Sequence, residues 1–447
     1  MNKFATHVYD RDELNGVASV ARTWHRWKAW FAGPCLLAKL PLLIVACLAS
    51  LDTVADACPF CSALAPTLSD DIEEGAVAVM ACFVSENEAL DGSGTYPMRI
   101  TAVVKGDSDL KDSLIEVTAK NPPVKGELFW LVGYGQERPQ WSPAKSISKA
   151  AVPYLLSLRD LKGSGAERLE HFLSFLQHSD PLVVSDAYNE FADASLTEIA
   201  ALSGKLDRSW VIATLLDPTV TRHRRRLCWT FLSQCGKASD ARLFHEVRRK
   251  SKDNLTFEVG MDAAISCFIT LGGEQALARI ERDYLANPEA EYLDSFAAIN
   301  AIRVQGTDLK IISRERLAQS LRHVLSRPSL ADLVIPDLAR WEDWGAMDTI
   351  VQLFRRLTEE HRLVKQATVL YLKRCPLPAA AKALERLRTI DPDAVRSAES
   401  SMLFYPGLAT VPVPPPTDES GASDKEAVGI PRITELPSSG SGKVDAK

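Results

Sequence analysis

Near residue 150 the spacing of apolar side chains changes from every second residue to every third and fourth. That switch constrains the fold more than any other feature, because a period of two buries one face of a strand and a period of about 3.6 buries one stripe of a helix. Upstream, Ala76–Val84 is short, apolar and β-branched at alternate positions, and Met98–Val104, Leu114–Thr118 and Leu128–Val132 follow as further strand-like runs. Asp91-Gly92-Ser93-Gly94 and Asn121-Pro122-Pro123 break them with turn residues. No helical run separates these strands, which predicts a small antiparallel sheet or barrel. A short helix begun near Ser62 is expected to end at Asp70–Glu74, just before the first strand. Downstream, Leu169, Phe172, Leu173 and Leu176 lie at helical spacing; Ile350, Leu353, Phe354 and Leu357 repeat it, and Leu317, Leu321, Val324 and Leu325 come close. About fourteen such segments follow one another. Asp180-Pro181 and Asp217-Pro218 lie 37 residues apart, each expected to open a helix with Pro in its first turn. A period near 40 with two helices per unit predicts an α-solenoid.

The two ends differ from both folded parts. Leu40–Leu51 is an apolar run of 12 residues preceded by Arg22, Arg26, Lys28 and Lys39 and followed by Ala55-Asp56-Ala57. Basic flank, short apolar core and small-x-small site describe a secretory signal peptide, too short for a spanning helix. Cleavage after Ala57 makes Cys58 the first mature residue; an uncut segment would instead hold the chain at a membrane. A start downstream of Met1 and lipidation at Cys58 are further alternatives. At the other end, residues 405–447 open with the Pro-rich run Val411–Pro416, pass into Ser, Gly and Asp, and have no aromatic after Tyr405. Such a segment cannot bury enough apolar surface to order itself. The expected division is 1–57 as signal peptide or anchor, 58–145 as a β-rich domain, 146–404 as a helical-repeat domain and 405–447 as a solvated tail.

Charge excludes some partners. With 52 Lys and Arg against 58 Asp and Glu, the net charge is −6, so the chain as a whole has no pull on nucleic acid. The densest positive run is Arg222, Arg224, Arg225 and Arg226, with Arg248, Arg249 and Lys250 further on. On adjacent helices these form either a basic interaction strip for an acidic partner or an ordinary solvated face.

Two of the nine cysteines fall in the signal segment, and export permits disulfides among the rest. Cys58-Pro59-Phe60-Cys61 is the sharpest local motif. A structural disulfide joining Cys58 or Cys61 to Cys82 is the favoured reading. C-x-x-C redox chemistry is the alternative, although no strand precedes the motif to seat it at a helix N-terminus. Zinc would need a fourth ligand beside these three thiols. Cys228 and Cys235, seven apart on one helical stripe, are expected to be core thiols. The eight histidines show no ligand spacing, and there is neither a G-x-S-x-G elbow nor a phosphate loop. No catalytic residue, metal or cofactor is assigned.

The strand-rich part resembles the netrin-like (NTR) family, whose OB-type barrel also underlies the tissue inhibitors of metalloproteinases. The resemblance rests on Cys58 and Cys61 near the mature N-terminus, on the strand Ala76–Val84, and on Met98-x-Ile100-x-x-Val103-Val104-Lys105-Gly106 followed by Gly126-x-x-x-Trp130-Leu131-Val132. It covers about 85 of 447 residues. It departs from the inhibitors in having C-x-x-C for C-x-C and in lacking their later paired cysteines. The helical part resembles HEAT repeats, and the arrangement as a whole is similar to exported bacterial proteins. The resemblance implies an N-terminal barrel and, in one alternative, regulation or inhibition of an exported protease through the amine and carbonyl of Cys58. The leading expectation is a non-catalytic interaction or scaffold protein outside the cytoplasm with an unknown protein partner. A thiol–disulfide redox protein using Cys58 and Cys61 is the second alternative.

Overall fold

A computed structural model describes residues 58–61, 65–84, 94–135, 139–161, 163–254 and 257–404. The expected signal segment, the turn at Asp91-Gly92-Ser93 and the expected solvated tail lie outside the described residues.

Six strands lie between 77 and 147: β1 (Val77–Phe83), β2 (Thr95–Lys105), β3 (Leu114–Thr118), β4 (Leu128–Tyr134), β5 (Gln140–Trp141) and β6 (Lys145–Ile147). They pair antiparallel in the order β3-β2-β1-β4-β5, with β6 also on β4. The four strands read from periodicity are present. β5 and β6 are too short to show a period and went unread. β1 is central, with Ala78 opposite Lys105 on one side and Val132 on the other. Its pairing to β2 slips twice, which curls the sheet. The Ala144 amide donates to the Thr118 carbonyl at 3.0 Å, linking the far edge at β3 to the lead-in of β6. The sheet is therefore a nearly closed antiparallel barrel, as the fold class expected. Val79, Ala81, Phe83, Met98, Ile100, Val117, Phe129 and Leu131 fill its interior.

Helix α1 (Leu68–Glu74) plugs one side of the sheet. It starts at Leu68 rather than near Ser62 because Thr67 and Asp70 form a reciprocal capping box, at 3.1 and 3.0 Å, that fixes the first turn there. Its end sits so close to β4 that a Cβ on Gly75 would lie 2.3 Å from Val132 Cγ1. Lys105, at the end of β2, donates to the carbonyls of Ile72 and Glu73 at 2.8 and 3.0 Å and so caps that same helix end. Gly106 then turns away with φ +108°.

Fifteen further α-helices run from Val152 to Phe404 among the described residues. In the first stretch they are α2 (Val152–Ser157), α3 (Gly165–Leu173), α4 (Pro181–Ala192), α5 (Leu196–Ala201), α6 (Arg208–Leu216) and α7 (Arg222–Cys235). Asp180 caps α4 with Pro181 at its first position, as expected. Pro218 does not open a helix. The Asp217 carboxylate accepts from the Thr219 amide and hydroxyl at 2.8 and 2.7 Å, closing a local turn, and α7 begins only at Arg222.

The chain divides into two compact units. The first takes the sheet, α1–α7 and 254–258; the second takes 237–253 and everything from Val259. In the second, α8 (Arg242–Asp253), α9 (Met261–Ile280), α10 (Tyr292–Val304), α11 (Arg314–Arg322), α12 (Pro328–Arg340), α13 (Met347–Arg356), α14 (Arg362–Arg374), α15 (Pro378–Ile390) and α16 (Pro392–Phe404) succeed one another. Here α10 packs on α12, α12 on α14 and α14 on α16, so alternate helices stack. Arg303 of α10 grips the buried Asp337 of α12 through Nε and Nη2 at 3.0 and 2.7 Å. No helix among the described residues is long and apolar enough to cross a membrane.

Candidate functional site

Pro59 fixes φ at the second position of a tight turn, and the Cys61 amide donates to the Cys58 carbonyl at 3.0 Å across it. The turn brings the two sulphurs to 2.7 Å. Both cysteines and Phe60 are buried; Cys58 is 2% exposed and Cys61 9%. The expected bridge to Cys82 is replaced by this local pairing. The Cys82 thiol, on β1, donates to the carbonyl of Phe83 at 3.5 Å.

The surroundings of Cys58 favour its anion. The Cys61 thiol beside it is the largest influence holding its pKa below the usual thiol range; burial opposes this. The Phe60 and Cys61 amides and the Thr230 hydroxyl of α7 act in the same direction as Cys61. On the same helix, Cys228 also has a threonine hydroxyl, that of Thr214, and the charges of Arg224 and Arg225 acting to lower it, but burial outweighs them. Burial pushes it up to about 12, as befits a core thiol. The Cys58 carbonyl, which the inhibitor resemblance would turn to a metal, here accepts the Cys61 amide, and the residue is buried.

Next to α1 lies a buried acidic pair that the sequence reading missed. Asp186 of α4 accepts from the Leu68 amide at 2.7 Å and from the Tyr154 hydroxyl of α2. One turn further along α4, Glu190 pairs with Arg168 of α3 at 2.5 Å. Burial pushes Asp186 up to about 6 and raises Glu190 as well. The signal available was two acids four apart in a mostly apolar helix, a pattern that also describes an exposed face.

The basic residues are divided between the two units. Arg222, Arg224, Arg225 and Arg226 belong to the first unit, whereas Arg248, Arg249 and Lys250 belong to the second. Arg225 is a correction to the strip: it is fully buried. Its guanidinium donates to the Asp217 carbonyl at 2.6 Å and to that of Glu258, and lies 4.0 Å from the centre of the Phe257 ring. Arg224 donates to the Leu176 carbonyl at 2.8 Å, and Arg248 pairs with Asp294. Arg222 and Arg249 are exposed, and Arg222 lies 3.8 Å from Glu258.

Between α4 and the start of α7 a cleft of about 360 Å³ is lined by His178, Ser185, Tyr188, Thr221, His223 and Arg224. His178 Nδ1 accepts the Asp180 amide at 3.0 Å, which leaves Nε2 as its donor. Among the described residues no group of three or more His, Cys, Asp or Glu side chains is placed to hold a metal ion. Comparison of the chain with family models, with curated proteins and with solved structures finds no match.

Proposed function

We propose that the protein works outside the cytoplasm as a non-catalytic protein-binding scaffold of netrin-like barrel and HEAT-like helices, with a contact surface on the helical second unit. The observation that carries this reading is an apolar cluster at the start of α10. Tyr292, Leu293 and Phe296 are 50%, 73% and 37% exposed, and the Tyr292 and Phe296 rings stack at 6.4 Å. Aromatic side chains left in water at one place on a stacked array are the usual anchors of interfaces. Glu289 and Glu291 are exposed beside them, which suits a partner segment whose apolar side chains are flanked by Lys or Arg.

The test is affinity capture from the envelope fraction, followed by titration of the purified partner onto the purified protein. Leu293→Asp should weaken that binding at least tenfold, about 1.4 kcal/mol. Equal binding by Leu293→Asp and Phe296→Ala would remove α10 from the reading. Export is tested separately: intact mass should place the mature N-terminus at or near Cys58, and full-length chain in the soluble cytoplasm would overturn it.

A further inference from the structure

We propose that Cys58 and Cys61 form a reversible dithiol–disulfide couple, with Cys58 as the attacking sulphur and low-molecular-weight disulfides as co-reactants. This is independent of the scaffold reading and concerns the other unit.

Geometry carries the assignment. A Pro-initiated turn holds the Cα atoms of its first and fourth residues within about 7 Å, the range a disulfide spans. The sulphurs, at 2.7 Å, already face one another. The two cysteines are also inequivalent. The Cys61 sulphur lies 2.7 Å from that of Cys58, and with the turn amides and Thr230 it holds the Cys58 thiol below the usual range. The attacking group in exchange is the thiolate, so the sulphur with these donors is the nucleophile and its neighbour resolves.

The chemistry balances within the pair. The Cys58 thiolate attacks one sulphur of a small disulfide R–S–S–R; a Cys58–S–R bond forms and one RS⁻ leaves, taking up a proton. Cys61 gives up its proton and attacks the Cys58 sulphur, the Cys58–Cys61 bond forms, and the second RS⁻ leaves. The protein dithiol loses two electrons and two protons, and the small disulfide gains both as two thiols. Burial selects the co-reactant. A folded protein cannot bring its disulfide in line with a sulphur 2% exposed, whereas brief opening of a four-residue turn admits a small molecule.

The experiment equilibrates the intact protein with graded mixtures of reduced and oxidised glutathione, then traps thiols by alkylation and weighs the peptide containing residues 58–61. Cys58 and Cys61 should become protected together in one two-electron transition. Because rate follows the thiolate fraction, Cys58 should alkylate at least about tenfold faster than Cys228 in the same molecule. Cys61→Ser should accumulate the glutathione mixed disulfide on Cys58, and Cys58→Ser should not accumulate it on Cys61. Thr230→Val should move the pH profile of Cys58 alkylation upward and Thr230→Ser should restore it, a readout that a merely structural role for Thr230 would leave in place. Alkylation of wild-type Cys58 no faster than that of Cys228 overturns the couple, and this comparison needs no variant to fold. Reduction of insulin that depends on Cys58 overturns the choice of small disulfides.

Discussion

Asp186 takes a carboxylate out of water and gives it two donors, the Leu68 amide and the Tyr154 hydroxyl. Desolvation outweighs these and pushes its pKa up to about 6, well above the usual aspartate range. The folded state thus holds a proton that the unfolded state has already released. The stability from this residue is fully present below about pH 4 and is lost as pH rises through about 6, an effect on the order of 3 kcal/mol at 1.36 kcal/mol per unit. Asp186→Asn, which keeps an acceptor for Leu68, should flatten the dependence of unfolding free energy on pH between 4 and 6 in denaturant titrations. A slope equal to that of wild type would place the titration elsewhere. Tyr154→Phe removes a donor from the anion and should cost about 1–3 kcal/mol at pH 7. None of this was legible in the sequence, because a buried acid and a surface acid are spelled alike until the residue across from them is known.

At the scale of the element, α7 shows where periodicity should have overruled charge. Arg225, Cys228, Trp229 and Leu232 lie at i, i+3, i+4 and i+7, and all are buried. A run of basic letters concealed that the third of its four arginines shares the apolar stripe. Arg225→Met keeps the bulk but strands the Asp217 and Glu258 carbonyls, so thermal or denaturant unfolding should show a loss of about 1–3 kcal/mol for each unsatisfied group. Arg222→Ala, on the exposed side of the same helix, should stay within about 0.5 kcal/mol. In α13 the stripe was read correctly at its centre: Phe354 is 1% exposed, and Lys365 lies 5.6 Å from its ring. Phe354→Ala should leave a cavity costing about 3–5 kcal/mol. Capping was the underused signal. Thr67-x-x-Asp70 and Ser195-x-x-Glu198 both mark helix starts that the structure places at the next residue.

For the whole molecule, the change in period at about 145 and the division of contacts do not coincide. The period records which secondary structure a segment adopts, and contacts record which segments share a core. The sheet shares its surroundings with the helices that follow it. Leu68 at the start of α1 hangs on Asp186 of α4, Arg159 donates to the Val103 carbonyl of β2, and the Ser148 amide donates to Asp180 at 3.2 Å. The first unit closes only with 254–258, where Phe257 and Glu258 complete the cage of Arg225. A chain of residues 58–145 therefore exposes the Leu68 amide and the Val103 carbonyl and loses the helices against which α1 is held. A chain of 58–258 keeps all of these partners. In heat denaturation followed by circular dichroism, the sheet and α1–α7 of 58–258 should melt in one cooperative transition, its 237–253 segment being parted from the second unit. The shorter chain should melt at least about 4–8 °C lower, the shift expected from a deficit of only 1 kcal/mol in a domain of its size, or show no transition at all. Equal melting temperatures would mean that the barrel is sufficient by itself and that α2–α7 rest on it without stabilising it.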